Sequence, residues 1–442
     1  MNAHARAIRT RAELALADVF ASASPSLPGD AATAELRAAA FERFAAAGLP
    51  HARVEAWRYT DLRRLMPEAR QLAGLPDAAA KARGIQAGAL FAGRGFRKLL
   101  IVDGCFVPEL SDLSDLGDGL SVQPMREALA SDGFERVQRL GLVAADDPLL
   151  SLNTALAADG IIVAISPRAA IDRPIHLAFV TSGDPATAVF VRSLVVIGDG
   201  ARATIVETHE GPDGSGYQVN SVLQMVVGDR AAVEHIKVTG EGDAALHIGT
   251  LLANIGSNAS VREFGFTTGG AVVRNQLFVH LAGEDTIASL HGASLLARRQ
   301  HADTTLTVDH AAPGSQSREI FKSVVDDEAR AVFQGKITVR QDAQKTDAKM
   351  MARGLLLSDA AEVDCKPELE IFADDVQCGH GSTTGALDDE LKFYLMARGI
   401  PEKQAEALLI QAFVGEVIEP IGNDGVREAL LEAMTAWLDG RS

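Results

Sequence analysis

Two cysteines and a histidine near the C-terminal end form the most chemically suggestive group in this chain. Between Cys365 and Ser382, Cys365, Cys378 and His380 share a short span with four carboxylates, Glu368, Glu370, Asp374 and Asp375. Cys378 and His380 are two positions apart, so on a β-strand both side chains leave the same face. Thiolate and imidazole are ligands that iron and zinc accept, but an iron–sulfur cluster ordinarily takes four ligands and this span is short of thiolates. A cluster held here therefore needs ligands from a second chain, which places the site at an interface. The bland alternative is a small buried cysteine beside a turn histidine held between Gly379 and Gly381. His280, His291, His301 and His310 also gather in sequence, but no two share a recognised ligand spacing, and they are expected as strand and turn residues.

Other chemistries are excluded by missing patterns. Gly335-Lys336 is followed by Ile337 and lacks the upstream glycine of a phosphate-binding loop, so the chain encodes no ATP site. No His-Glu-x-x-His, Gly-x-Ser-x-Gly or Cys-x-x-Cys element occurs, which removes the commonest zinc protease, serine hydrolase and thiol redox classes. Forty-two basic against fifty-nine acidic residues leave a net charge of −17, which repels nucleic acid and anionic lipid. Aromatic residues at 5% argue against stacking grooves for bases or sugars. Cys105, Cys365 and Cys378 are too few for a disulfide framework, so a reducing compartment, the cytoplasm, is expected. Arg6, Arg9 and Arg11 precede an apolar stretch, but Glu13 and Asp18 interrupt it, and no export signal or membrane-spanning run is expected.

The elements that position these residues fall into three regions: helices over 1–97, strands over 98–384 and helices again over 385–442. Leu16, Val19 and Phe20, then Ala40, Phe41 and Phe44, recur at helical spacing before Gly48-Leu49-Pro50 and predict a helical hairpin. Trp57, beside Tyr59, is expected to anchor the packing of these helices. From Lys98 onward short β-branched runs alternate with Gly, Asp and Asn. One turn recurs: Ile197-Gly198-Asp199-Gly200-Ala201, Val227-Gly228-Asp229-Arg230-Ala231 and Ile255-Gly256-Ser257-Asn258-Ala259 start 30 and 28 residues apart, and Val325 and Leu357 start a later pair 32 apart. A period near 30, with no helix between the strands, predicts a β-solenoid, because a sandwich has no need to repeat one turn at one spacing. Asp388 can cap a helix ending at Gly399, Pro401 can start a second, and a third follows Gly425. Such terminal helices cover the open ends of a solenoid or make partner surfaces.

The chain resembles the SufB/SufD family of iron–sulfur cluster assembly proteins, on its SufD side. The match runs through Leu355-Leu356-Leu357-Ser358, Ala361-Glu362-Val363-Asp364, Lys366-Pro367-Glu368-Leu369-Glu370-Ile371, Cys378-Gly379-His380-Gly381 and Phe393-Tyr394-Leu395 to Arg398-Gly399-Ile400. Glu55-Ala56-Trp57-Arg58-Tyr59-Thr60 and Ala331 to Ile337 extend it over most of the chain. Met350 and Ala352 stand where a SufB pattern carries Gln and Asn, which favours SufD; Cys365 stands where Thr is expected.

The resemblance implies a right-handed parallel β-helix core flanked by α-helical N-terminal and C-terminal domains. It implies a non-catalytic scaffold that pairs with SufB through the β-helices and binds the SufC ATPase. A transient iron–sulfur cluster would be shared with SufB, with His380, and Cys378 beside it, facing a SufB cysteine. Leu391, Phe393, Tyr394, Leu395, Arg398, Leu408 and Phe413 are then the candidate ATPase contacts on the C-terminal helices. Reduced flavin is a further expectation for the complex, tied to no residue here, and a homodimer of the isolated chain stays open. Two alternatives compete: a carbohydrate-active enzyme on a β-helix, with Asp374 and Asp375 as paired carboxylates, and a purely structural interaction module.

Overall fold

The computed structural model describes residues 9–131 and 146–441, so Arg6 lies outside the described residues. Two N-terminal helices, Arg11–Ala23 and Ala31–Ala47, form the expected hairpin. Thr10 and Glu13 close a capping box on the first, Asp30 accepts the Thr33 amide at 2.8 Å on the second, and Gly48 ends it at φ 73°. Phe20 stacks on Phe41 with ring centroids 4.3 Å apart, which fixes the hairpin.

The described strands are β1 (Arg97–Val102), β2 (Cys105–Phe106), β3 (Leu120–Pro124), β4 (Ile161–Ile165), β5 (Ile175–Val180), β6 (Ala188–Ile197), β7 (Arg202–Glu210), β8 (Gln218–Val227), β9 (Ala232–Gly240), β10 (Leu246–Ile255), β11 (Ser260–Thr267), β12 (Val272–Leu281), β13 (Ile287–Leu296), β14 (His301–His310), β15 (Gln316–Val325), β16 (Arg330–Val339), β17 (Asp347–Leu356), β18 (Glu362–Ile371) and β19 (Gln377–Ala386), and from β4 onward they alternate between two sheets. One sheet follows the order β19-β17-β15-β13-β11-β9-β7-β5-β1-β2 and the other β18-β16-β14-β12-β10-β8-β6-β4-β3. From β4 onward each strand pairs in parallel with the strand two further on, so every coil of the chain contributes one strand to each sheet. Leu246 lies opposite Val272, 26 residues on, and Arg330 opposite Glu362, 32 residues on. The result is a parallel β-solenoid of about eight turns.

The recurrent turn has a physical cause. Gly200, Arg230 and Asn258 occupy the same corner of successive coils with φ of 67°, 58° and 56°. The left-handed conformation favours Gly and Asn there. One residue earlier the carboxylate of Asp199 accepts the Asp229 amide at 3.1 Å, and that of Asp229 accepts the Ser257 amide at 2.8 Å, so each turn satisfies the next. Inside, identical positions stack in columns such as Ile197, Val227, Ile255 and Leu281.

The flanking helices differ from expectation in where they sit. They cover the outer faces of the solenoid, not its open ends. Leu16, Phe44, Trp57 and Leu62 pack with Leu149 and Leu152 on Phe190, Leu246 and Val272 of the even-numbered sheet. Ile410, Val414, Val417 and Leu430 pack on Ile236, Phe264 and Leu295 of the odd-numbered sheet. Strands buried on both faces lose the two-residue alternation, which is why Ala188–Ile197 is apolar at successive positions on either side of Arg192-Ser193. The strand region is also interrupted by helices Met125–Ser131 and Pro148–Leu156; Asp147 as cap and Pro148 at the first turn signal the latter. At the N-terminal end β2 (Cys105–Phe106) pairs antiparallel with β1, and β3 (Leu120–Pro124) with β4, and these pairs close the coils. At the other end β18 and β19 are edge strands that no element covers among the described residues.

Candidate functional site at the open end of the solenoid

Cys378 and His380 both lie on β19, on its inward face. Cys378 stands over Ala348, and His380 over Met350, of β17 (Asp347–Leu356); both of those side chains belong to the interior core. Cys365 enters the same layer from the opposite sheet, standing over Phe333 of β16 (Arg330–Val339). All three sequence-selected residues therefore top the interior at the uncapped end. His380 is exposed, and the two cysteines are half-buried.

Their electrostatics argue against preformed thiolates. Burial raises the Cys378 thiol, an effect opposed by the Ala348 amide and reinforced by the charges of Asp347 and Glu319. Burial and then Asp364 raise Cys365, and Cys105, remote and fully enclosed, is pushed up to about 12. A metal ion arriving at this end must displace a proton to gain a sulfur ligand, and the thiolate it creates is then stabilised by the ion itself.

Beneath this layer lies a polar group that sequence reasoning missed. Glu319, on β15 (Gln316–Val325), stands under Met350 and hence two strands below His380; it is fully buried, and neither carboxylate oxygen has a partner. Burial pushes it up to about 8. Next to it His310 Nε2 meets Ser317 Oγ at 2.9 Å. His310 takes the place of an aliphatic residue in a column between Leu281 and Val339. A larger polar interior occurs several coils away. There His235 lies between Glu207, at 3.3 Å, and Glu263, and although burial opposes its charge the two carboxylates raise it to about 10. No local signal marks these inward positions, because their partners lie a whole coil away in sequence.

The four histidines grouped in sequence do not form one site. His280 Nδ1 bonds Asp309 at 2.9 Å and His301 Nε2 bonds Thr60 at 2.9 Å, while His291 and His310 lie on strands of opposite sheets. Asp374 and Asp375 are exposed on a turn, where Asp375 pairs with Lys345, and they do not form an enclosed carboxylate pair.

The residues of the candidate partner surface differ in exposure. Helix Asp389–Ala397 buries none of its residues, and Leu391, Phe393 and Tyr394 are 52%, 72% and 54% exposed. Leu395 is half-buried; Arg398 caps the Tyr394 ring at 4.5 Å and is exposed, as is Leu408 on helix Glu402–Ile418. Phe413 differs: it packs toward the solenoid beneath the Lys322 ammonium, 4.5 Å from its ring.

Residues 179–413 match the family model described as the SUF system FeS cluster assembly, SufBD core domain. An iron–sulfur cluster assembly SufBD family protein of Synechocystis sp. is 33% identical over 387 residues, covering 84% of each chain. The iron–sulfur cluster assembly protein SufD of Escherichia coli is 30% identical over 402 residues, 89% of this chain and 90% of the relative. A protein of Arabidopsis thaliana named as chloroplastic is 31% identical over 75% of this chain and 72% of its own. The solenoid, its terminal Cys-Gly-His strand and the extent of these matches agree, and the chain belongs to the SufB/SufD family of iron–sulfur cluster assembly proteins, as a SufD-like member.

Proposed function

We propose that this chain is a non-enzymatic scaffold that pairs with SufB at the open end of its solenoid, so that a nascent iron–sulfur cluster, as cargo, assembles between the two chains. The observation that carries this is the position of His380 and Cys378 on the inward face of the last strand, with no element above them among the described residues. Edge strands β18 and β19 present unpaired backbone groups that a second solenoid can extend, and Ile371 and Phe372, 42% and 62% exposed, add apolar surface beside them. Pro367 removes one donor from that edge and so limits self-pairing. A histidine and a thiol from this side, with thiolates from SufB, complete the ligand count that this chain lacks.

The exposed face of helix Asp389–Ala397 is the proposed docking surface for the SufC ATPase, which supplies the ATP hydrolysis; no ATP binds here. Movement of the C-terminal helices by that partner would open the solenoid interface. Reduced flavin remains a proposed electron source tied to no residue, and the cytoplasm is the proposed compartment. No helix among the described residues is long and apolar enough to cross a membrane.

The test is co-purification with SufB and SufC and anaerobic visible spectroscopy of the complex, with wild-type and His380→Ala chains. Cluster absorption that falls by roughly tenfold or more in the variant, with the complex intact, is the expected result. An unchanged spectrum removes the ligand role of His380 and leaves a structural module.

A further inference from the structure

Midway along the solenoid, the interior carries a second group of metal-ligating side chains that the cluster-assembly role does not use. His209 comes from β7 (Arg202–Glu210), Glu241 from the turn after β9 (Ala232–Gly240) and His247 from β10 (Leu246–Ile255). The three are 2%, 4% and 0% exposed, and one ligand atom from each lies within 4.8 Å of the other two. They join consecutive coils and both sheets, so no local motif reveals them.

Their surroundings are those of a built site. Tyr217 Oη donates to the second Glu241 oxygen at 2.7 Å, and Glu207 bonds the His209 ring. Such outer contacts orient metal ligands and raise their basicity. The His209 ring is held between Phe179 and His247, each with its centroid 4.6 Å away. His247 Nδ1 meets Glu241 Oε1 at 2.8 Å, while its Nε2 lies 3.2 Å from Lys237 Nζ. The ammonium can only donate, so Nε2 accepts and Nδ1 carries the proton. An ion that takes Nδ1 and the carboxylate moves that proton to Nε2, which requires the Lys237 ammonium to give up its contact with the ring and turn wholly to Asn275 Oδ1, 3.0 Å away. Three carboxylates, Glu207, Glu241 and Glu263, are gathered in this interior with Lys237 and the three imidazoles His209, His235 and His247.

We propose that His209, Glu241 and His247 bind a divalent first-row transition metal, zinc or ferrous iron, inside the solenoid. Two imidazoles and a carboxylate are a set that both ions accept, with one position left open. From β7 to β19 there are six strand steps of about 4.8 Å, roughly 29 Å, so this ion is distinct from the cargo at the open end. It ties one coil to the next, and the proposal is independent of the partner assignments above.

The test uses the full chain, stripped with a chelator and titrated with cobalt(II), whose visible absorption reports a low-coordinate N/O site. One cobalt per chain is expected, both for the wild type and for the Cys378→Ser/His380→Ala double variant, which removes the open-end ligands. Glu241→Gln should weaken binding by about 100-fold or more, and Tyr217→Phe, which keeps every ligand, by about tenfold. The wild-type thermal midpoint should rise with added cobalt or zinc. Ferrous iron and zinc are separated by anaerobic titration of each ion in turn. The proposal is overturned if the wild type takes up no cobalt, if uptake vanishes in the open-end double variant, or if folded Tyr217→Phe and Glu241→Gln bind as the wild type does.

Discussion

Glu55 and Lys366, 311 residues apart in sequence, form an ion pair that joins the two segments by which the family is recognised. Glu55 begins the Glu-Ala-Trp segment of the N-terminal domain, and Lys366 lies on edge strand β18. The next residue, Ala56, offers its carbonyl to Arg274 Nη2 at 2.7 Å and to Gln334 Nε2 at 3.2 Å. The helical domain is thus pinned to three even-numbered strands, β12, β16 and β18, the last of them at the open coil. Lys366→Met should leave the thermal midpoint nearly unchanged, because the Glu55 carboxylate is exposed. Amide exchange over 54–58 should accelerate; equal protection in both proteins would show that the pair contributes nothing to docking.

Arg274 is the buried counterpart of that surface pair. Its guanidinium lies 3.8 Å from the Trp57 ring and pairs with Asp303, and both charged groups are at most 1% exposed. Arg274→Met leaves the Asp303 charge without its partner, at an expected cost of about 3–5 kcal/mol in urea unfolding. The Arg274→Met/Asp303→Leu double variant should recover part of it. A single variant within about 1 kcal/mol of wild type would contradict this account.

Glu319 makes stability depend on pH with a definite sign. Its folded value of about 8 lies above the ordinary 4.5, so the native state holds a proton that the unfolded chain releases. Stability associated with this group is full below about 4.5 and declines as pH rises to about 8. Glu319→Gln should therefore be more stable than wild type at pH 7 by about 3 kcal/mol, and the difference should shrink toward pH 4. Urea midpoints of both proteins across that window check it. A constant difference would mean that Glu319 is not titrating there.

Much of this architecture is legible in the sequence. The Gly, Asp and Asn corners repeat because a left-handed residue and a carboxylate cap are needed once per coil, so Asp199 and Asp229 reveal the period. Cys378 and His380 share a face by simple alternation. The placement of the helices is not legible in the same way: Val414 and Leu430 show only that a helix has an apolar side, not that the side meets a sheet face. Trp57 is recognisable as an anchor, but its Arg274 and Asp147 partners are distant in sequence. Glu319, His209 and His247 are invisible for the same reason. Each sits at an inward position of a strand buried on both faces, where hydropathy has no alternation, and each meets its partners only through the register between coils.

Phe393 and Phe413 separate docking from packing on the C-terminal helices. Phe393 is 72% exposed on a helix with no buried residue, so Phe393→Asp should change unfolding free energy by less than about 0.5 kcal/mol. If that face holds the ATPase, the same variant should lose co-purification with SufC while keeping SufB. Phe413 lies beneath Lys322 and against the odd-numbered sheet, and Lys322 in turn pairs with Glu416. Phe413→Ala should cost about 1–3 kcal/mol and weaken partner binding only as far as the helix detaches. Wild-type retention of SufC by Phe393→Asp would remove the docking assignment. Loss of SufC by Phe413→Ala at wild-type stability would move the contact to the second helix instead.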